Sequence, residues 1–296
     1  MLGGQVVISD DLFHMFYTGI GEDIHGIGYA VSSDGLLYTK HGTNPVLQPD
    51  GEGFDAVGTG FASPLVVGDT WMLFYTGSAS GEVLPGYKLA GSSIGLTTAP
   101  EPTGPWTSGQ LVLKAGGKEE WDSGVIIPTS VFATEDGYIM YYTGGPDPTL
   151  HVKWMCGMAI SPDGINWTKY DDPSTTEAPF AESDPILQPG PASWEPVSVH
   201  CSVLKTDSGW EMFYEGWGPL VLDSISKIGY ATSEDGVSWS KYQGNPILNP
   251  QSDQAGVDND ELNHPSVVKD GSNYYLYYSY GFLKDEGVSI GTIDKP

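Results

Sequence analysis

The segment Met15-Phe16-Tyr17-Thr18-Gly19 recurs, with small changes, along the whole chain. Four further copies are Leu73-Phe74-Tyr75-Thr76-Gly77, Met140-Tyr141-Tyr142-Thr143-Gly144, Met212-Phe213-Tyr214-Glu215-Gly216 and Leu276-Tyr277-Tyr278-Ser279-Tyr280. A second short phrase follows each copy, at Ile27-Gly28, Ile94-Gly95, Cys156-Gly157, Ile228-Gly229 and Ile290-Gly291. The repeating unit is therefore roughly 65 residues long, and such repeats of aromatic and β-branched runs are typical of stacked β-sheet units.

Each unit divides into four predicted strands. The first begins with a small polar residue and continues with apolar ones, as in Ser202-Val203-Leu204. The aromatic segment forms the second strand, and the Ile-Gly phrase forms the third. A Ser-x-Asp-Gly turn, as in Ser161-Pro162-Asp163-Gly164, leads into the fourth strand, which ends as in Asn245-Pro246-Ile247-Leu248.

Five such units predict an all-β fold: a five-bladed β-propeller of four-stranded antiparallel blades, occupying residues 1–296 as a single domain. An elongated β-solenoid is the alternative, but it would need shorter and more regular coils. The last unit stops after its third strand, so we expect the last blade to be incomplete. Either that blade has three strands or an amino-terminal extension supplies the fourth, and we favour the extension.

The charge balance argues against several classes of function. The 296 residues include 38 acidic and 12 basic side chains, a formal net charge of -26, and every base is Lys. Nucleic-acid binders neutralise phosphates with clustered Lys and Arg, so we expect no nucleic-acid binding. The lack of Arg removes the fork geometry that binds phosphate or carboxylate bidentately. No run of 18 apolar residues is present, so we expect no membrane span.

The sequence says less about location and assembly. Met1-Leu2-Gly3-Gly4 shows no basic segment followed by an apolar one, so no signal peptide is visible. Secretion or a periplasmic location would require a further amino-terminal segment. Cys156 and Cys201 lie in strand-like runs of different units, and we expect them to be buried free thiols. Localisation and oligomeric state stay open.

An aromatic or apolar residue followed by an acid precedes the first strand of four units. The four acids are Asp55, Asp122, Glu195 and Asp258. In a propeller, the connection that enters the innermost strand lies at the mouth of the central channel, so we expect these carboxylates to gather on one face. A repeated acid also fits a structural role, in which it caps a turn or accepts backbone N–H bonds in every blade.

Departures from the repeat are stronger indications of function, because the fold does not need them. Glu215 replaces the Thr that three other units carry at the end of the second strand. His200 and His264 stand two residues before their strand serines, where other units have Phe61 and Pro128. We therefore expect Glu215 and the two histidines to lie near the mouth.

Three tryptophans and an acidic run complete the candidate binding groups. Trp121, Trp194 and Trp217 could offer flat faces to a sugar ring, although packing in the core is the ordinary alternative. The run from Asp258 to His264 is dense in groups that could hold a sugar or a central structural cation such as calcium. We expect no required cofactor.

These residues resemble those of the five-bladed β-propeller glycoside hydrolase superfamily, which includes arabinanases, xylosidases, fructosidases and mannoside phosphorylases. The resemblance rests on the Ser-x-Asp-Gly-x-x-Trp phrase, on the Asn-Pro-Ile-Leu-x-Pro ending and on His264-Pro265-Ser266-Val267-Val268 followed by Tyr274-Tyr275-Leu276-Tyr277-Tyr278. It covers all five units and implies a carbohydrate partner. Arabinanase-like members place an Asp where this chain has His264, and fructosidases and phosphorylases use Arg. The sequence remains compatible with a neutral glycoside or furanoside as substrate.

The resemblance and the departures together suggest two functions. The first is a glycoside hydrolase that acts on an oligo- or polysaccharide, with Glu215 as general acid and Asp55 or Asp122 as base or nucleophile. His200 and His264 would then orient the sugar, hold a cation or water, or replace a missing carboxylate as acid. The second is a catalytically inactive propeller that binds glycans or a partner through the same mouth.

Overall fold

The structure is a computed structural model, and it describes residues 2–20, 25–79, 93–146, 153–218, 226–250, 262–280 and 287–293. These residues form nineteen β-strands in five antiparallel sheets and one short 3₁₀ helix, Gly53–Asp55, with no α-helix among them. No helix in this part of the chain is long and apolar enough to cross a membrane. The predicted all-β class is confirmed.

Each sheet is one blade, numbered in chain order. Blade 1 contains β1 (Leu2–Ser9), β2 (Leu12–Ile20), β3 (His25–Ser32) and β4 (Thr39–Lys40). Blade 2 contains β5 (Gly58–Val67), β6 (Thr70–Ser78), β7 (Ser93–Ala99) and β8 (Gln110–Leu113). Blade 3 contains β9 (Val125–Thr134), β10 (Gly137–Gly145), β11 (Met155–Ser161) and β12 (Thr168–Lys169). Blade 4 contains β13 (Ser198–Thr206), β14 (Gly209–Trp217), β15 (Lys227–Ser233) and β16 (Ser240–Lys241). Blade 5 contains β17 (Asn263–Asp270), β18 (Asn273–Tyr280) and β19 (Gly287–Ile293).

The first strands of the blades form a closed ring. Strand β1 contacts β5 and β17, β9 contacts β5 and β13, and β13 contacts β17. Within each blade the strands follow one another outward in sequence order. Four blades are four-stranded, and blade 5 has three strands among the described residues. The arrangement is the predicted β-propeller, with its first strands innermost.

The hydrophobic core lies between neighbouring blades. Each of five core clusters combines residues of two adjacent blades, so the clusters together go once round the ring. Alternate side chains of a strand point to opposite faces, which explains the aromatic segment. Phe213 of blade 4 packs towards blade 5, while the adjacent Tyr214 packs towards blade 3, and both are fully buried. The segment recurs because every second strand has two neighbours to contact.

The repeated serine of the first strand joins one blade to the next. Ser130 Oγ accepts the backbone N–H of Val203 at 2.9 Å, and Ser202 Oγ accepts that of Val267 at 3.1 Å. Both bonds are buried, where an unpaired N–H would be costly. The small polar residue of the repeat therefore links the innermost strands of neighbouring blades.

The turn before the fourth strand has the expected Asp-Gly chemistry. In blade 3, Asp163 Oδ1 accepts the N–H groups of Asn166 and Ile165 at 2.8 and 2.9 Å, and Gly164 adopts a φ of 77°. These bonds hold the pKa of Asp163 well below its usual range. The fourth strand is shorter than predicted, since β4, β12 and β16 have two residues each. The leucine of the Asn-Pro-x-Leu ending pairs with the third strand only through an isolated bridge, because proline cannot donate an N–H to a strand ladder.

Candidate active site

Side chains from three blades meet at the end of the ring where the first strands begin. The rings of His200 and His264 meet edge to face with centroids 4.9 Å apart, and the Phe61 ring lies 5.0 Å from that of His264. Blade 1 contributes Gly3 at the equivalent place, and a Cβ there would lie 2.7 Å from Phe61 Cδ1. The missing side chain in blade 1 therefore lets Phe61 of blade 2 reach His264 of blade 5.

The backbone is strained at this meeting point. Phe61 has a φ of 43° and His264 a φ of 52°, in the left-handed region that bulky residues rarely adopt. The strand register also shifts beside both residues, between Gly60 and Ser63 and between Asn263 and Ser266. Such strain costs on the order of 1 kcal/mol or more at each residue. The bulges re-aim Phe61 and His264, which is a recurring use of bulges near functional sites.

Glu215 occupies a place that elsewhere holds two blades together. At the equivalent place in blade 1, Thr18 Oγ1 accepts the N–H of Phe61 in blade 2 at 2.8 Å. Glu215 Oε2 does the same between blades 4 and 5, because it accepts the N–H of His264 at 2.8 Å. Its second oxygen, Oε1, accepts the indole N–H of Trp217. The carboxylate thus keeps the contact between blades and adds an ionisable group that this contact does not require.

His200, Glu215 and His264 form one cluster, which we call the His–Glu cluster. His200 on β13 is the direct strand partner of Glu215 on β14, and His264 follows on β17 of the next blade. All three side chains are buried, with 4–5% exposed. The predicted neighbourhood of Glu215, His200, His264 and Trp217 is therefore present in the structure. A buried carboxylate beside two imidazoles is suited to proton transfer.

We call the four acids that precede a first strand the rim acids, and three of them are described in the structure. Two of these three are each held by a lysine of their own blade. Asp122 is fully buried, and its Oδ2 lies 2.5 Å from Lys169 Nζ. Glu195 Oε2 lies 2.8 Å from Lys241 Nζ. Lys169 and Lys241 lie on the outermost strands β12 and β16. Asp122, expected as base or nucleophile, and Glu195, expected at the mouth, are therefore each engaged by a lysine from the outermost strand of their own blade.

The third described rim acid, Asp55, is held by a tyrosine. The hydroxyl of Tyr75 donates to Asp55 Oδ2 at 2.6 Å, and Tyr142 donates to Asp122 in the same way at 3.2 Å. Burial raises the pKa of Asp55, although the bond from Tyr75 opposes this shift. Asp258, the fourth predicted acid, lies outside the described residues. The structural alternative, in which a repeated acid satisfies its own blade, accounts for the three that are described.

Trp121 and Trp194 are buried against tyrosines rather than open to a ligand. Trp121 stacks on Tyr142 and Trp194 stacks on Tyr214, each with ring centroids 5.7 Å apart. Both tryptophans are buried. This corrects the expectation that they offer free faces to a sugar, whereas Trp217 does contact the cluster through its bond to Glu215. The repeated glycines make room for these rings, since a Cβ at Gly216 would lie 2.4 Å from Trp194.

Two features of this region were not predicted. Phe61 packs beside His264, although the sequence analysis named it only as the residue that stands where blades 4 and 5 have His. The lysines that hold Asp122 and Glu195 were also missed, and the signal that could have found them is the nearly equal sequence distance, 47 residues for Asp122–Lys169 and 46 for Glu195–Lys241. Among the described residues, no group of three or more His, Cys, Asp or Glu side chains is arranged to hold a metal ion.

Comparisons with known proteins agree with this fold. No known family profile matches the chain. By sequence it is similar to two uncharacterized proteins of Mycobacterium tuberculosis strains, at 24% identity over 224 residues, covering 72% of this chain and 65% of each relative. The chain therefore matches less than two thirds of the length of these curated relatives.

Solved structures with the same fold include several glycoside hydrolases. One glycoside hydrolase has a TM-score of 0.73 at 19% identity, covering 99% of this chain and 86% of that chain. A thermostable family-43 glycoside hydrolase has a TM-score of 0.69 at 18% identity, covering 100% and 90%. A structure from the GH130 family of mannoside phosphorylases, described as containing hydrolases that target β-1,2 mannosidic linkages, has a TM-score of 0.66 at 16% identity, covering 98% and 83%. The chain thus shares its β-propeller fold with these proteins.

Proposed function

We propose that this protein is a glycoside hydrolase acting on a neutral glycoside or furanoside, with its reaction centre at the His–Glu cluster. The observation that carries the proposal is Glu215, a buried carboxylate in a place where the fold requires only a hydroxyl. It stands between two histidines at the end of the ring where the inner strands begin. The fold shared with glycoside hydrolases supports the same class of reaction.

Hydrolysis of a glycosidic bond needs two proton transfers. The bond between the anomeric carbon and the leaving oxygen breaks, the leaving sugar gains a proton, and the oxygen of a water joins the anomeric carbon after losing one. Both oxygens of Glu215 accept bonds from groups that can only donate, the indole of Trp217 and the amide of His264. That pattern suits an ionised carboxylate, which takes a proton from water or attacks the anomeric carbon.

This arrangement changes the roles that the sequence suggested. Glu215 serves as base or nucleophile instead of acid, and the proton donor is one of the two neighbouring imidazoles. Asp122 and Glu195 are not required in either role, because each is engaged by a lysine. The net charge of -26 and the lack of Arg favour an uncharged sugar over a phosphorylated or carboxylated one.

Two substitutions of Glu215 separate chemistry from structure. Glu215→Thr introduces the residue that blades 1, 2 and 3 carry, so we expect the contact with the His264 amide and the fold to persist. Glu215→Gln keeps the side-chain size and removes the charge. Both should lower kcat at least a hundredfold, the scale of acid–base catalysis, on a panel of aryl glycosides and neutral oligosaccharides.

Glu211→Gln is the matched control. Glu211 is a buried glutamate on the same strand, four residues and about 13 Å away, where it contacts Tyr274. It should retain wild-type turnover. If Glu215→Thr and Glu215→Gln turn over substrate as fast as Glu211→Gln, the reaction centre lies elsewhere and the proposal fails.

The second candidate is a glycan-binding propeller without turnover. The depth of the His–Glu cluster favours it, since 4–5% exposure leaves little of these side chains open to a substrate. Calorimetric titration with the same sugars distinguishes the two. Saturable binding that Glu215→Thr weakens, with no reducing sugar released over days, would support the binding role.

A further inference from the structure

The two cysteines of the chain lie at one junction between blades. Cys156 on β11 stands where the other four units have Ile, and Cys201 on β13 stands where the repeat elsewhere has Ala62, Thr129 or Pro265. Both are free thiols, and both are fully buried in the core cluster shared by blades 3 and 4. The two departures from the repeat therefore fall on the same contact.

The fold does not need sulfur at these two positions. At the junction of blades 1 and 2 the equivalent residues are Ile27 and Ala62, which are both fully buried in one core cluster. A large and a small apolar side chain there correspond to two side chains of intermediate size between blades 3 and 4. Since hydrophobic residues of suitable total volume are enough to fill a core, packing alone does not explain a pair of thiols.

The backbone brings the two cysteines side by side. The N–H of Val199 donates to the carbonyl of Trp154 at 3.0 Å, and a second bond one step earlier joins the same two segments. From this bond both segments run on in the same direction, and each reaches its cysteine two residues later, at Cys156 and Cys201. Side chains two residues apart on an extended chain point to the same side, so the two thiols face the same space.

The hydroxyl of Thr143 lies between the cysteines. Thr143 is the direct strand partner of Cys156, and its Oγ1 accepts the N–H of Cys201 at 3.4 Å. The thiols of Cys156 and Cys201 are hydrogen-bonded to each other. The sulfurs of a disulfide are ~2 Å apart, so a small movement of two thiols that already touch brings them to bonding distance.

We propose that Cys156 and Cys201 form a disulfide that joins β11 of blade 3 to β13 of blade 4 when the protein meets a small-molecule disulfide as oxidant. The thiolate of one cysteine attacks a sulfur of the oxidant and releases one thiol, and the thiolate of the second cysteine then displaces the other. Two protons and two electrons thereby pass from the protein to the oxidant, which becomes two thiols. The bond uses no side chain of the His–Glu cluster, so this inference does not depend on the proposed hydrolase activity.

The bond forms while the junction between the blades is open. Burial raises the pKa of the Cys156 thiol, and the neighbouring Cys201 thiol raises it further. The thiolate is the reactive form, and neither side chain is exposed in the folded protein. Folded, reduced protein should therefore react slowly with oxidised glutathione, whereas protein that refolds in its presence should close the bond.

Equilibration with reduced and oxidised glutathione tests the proposal. Acid quenching, alkylation and mass spectrometry of the monomer give the effective concentration of the two thiols, both in native buffer and in concentrated urea. The value in native buffer should be higher by roughly a hundredfold or more, because the fold holds the thiols together. By linkage, a hundredfold difference gives the oxidised protein a Tm about 4 °C above that of the reduced protein.

A shifted pair is the matched control. Cys156→Ile together with Met155→Cys moves the thiol by one residue to the face that packs towards blade 2. In this variant the effective concentration in native buffer should be no higher than in urea. The proposal would be overturned if wild type gave equal values in native buffer and in urea, if its oxidised form melted below the reduced form, or if the shifted pair closed as readily as Cys156 and Cys201.

Discussion

Replacing Lys169 by methionine tests how much the pair of Lys169 with Asp122 contributes to stability. Lys169 Nζ lies 2.5 Å from Asp122 Oδ2, and the lysine side chain is 13% exposed while the aspartate is fully buried. Methionine keeps the apolar part of the side chain and removes the charge. Among the described residues, the buried Asp122 carboxyl would then keep the bonds from the Tyr142 hydroxyl and the Gly116 N–H.

The expected loss follows from that geometry. Removing one partner of a buried ion pair typically costs about 3–5 kcal/mol, and the two remaining donors place Lys169→Met near the lower value. With an unfolding entropy of about 2.1 cal/mol/K per residue, 296 residues give about 0.6 kcal/mol/K, so ~3 kcal/mol lowers the Tm by about 5 °C. Lys40→Met changes the same repeat position in blade 1, where no ion pair of Lys40 lies among the described residues, and we expect it to stay within about 0.5 kcal/mol of wild type.

Urea unfolding followed by tryptophan fluorescence measures the difference, with scanning calorimetry as an independent measure of two-state behaviour. The m-value should be the same in wild type and both variants, so that the midpoint reports the free energy of unfolding. Equal midpoints for Lys169→Met and Lys40→Met would refute the idea that the lysine–acid pair stabilises a blade.

Three further substitutions test the packing and the charge at the ends of the blades. Gly216→Ala should lower the free energy of unfolding by about 1–3 kcal/mol, because its Cβ would lie 2.4 Å from Trp194, whereas Gly19→Ala should be neutral or stabilising by up to about 1 kcal/mol in the same urea assay. Burial raises the pKa of Asp55, so its contribution to stability is greatest below its unfolded pKa and declines as the pH rises through the folded one. Asp55→Asn, which can still accept the Tyr75 hydroxyl, should remove this decline, so its stability relative to wild type should increase in urea unfolding as the pH rises above about 4, the unfolded pKa of Asp.

The propeller could be predicted from the sequence because each repeated residue performs the same task in several blades. Ser130 and Ser202 join successive inner strands, and Phe213 and Tyr214 pack against the blades on either side. Such tasks are local to a blade and its neighbour, so they recur at the period of the repeat. The short fourth strand was less accessible, since a two-residue ladder leaves little pattern in a sequence.

The candidate site could be predicted only in part. Glu215 and the two histidines stood out as departures, and the structure brings them into one cluster. The engagement of Asp122 and Glu195 could not be predicted, because it depends on lysines 47 and 46 residues further along the chain. Phe61 was missed as a central residue, since its position depends on a left-handed backbone and on the absence of a side chain at Gly3.

Recurrence and departure therefore carry different information in a repeat protein. Asp55, Asp122 and Glu195 recur because each bonds a side chain of its own blade, in blades 2, 3 and 4. Glu215 replaces the Thr or Ser of the other second strands, so the contact between blades accounts for one of its oxygens, while the other accepts the indole N–H of Trp217. Blades 1, 2, 3 and 5 have Thr or Ser in the place of Glu215, so a blade can be built without the carboxylate. Chemistry is best sought where the blades differ, which in this molecule is the contact between blades 4 and 5.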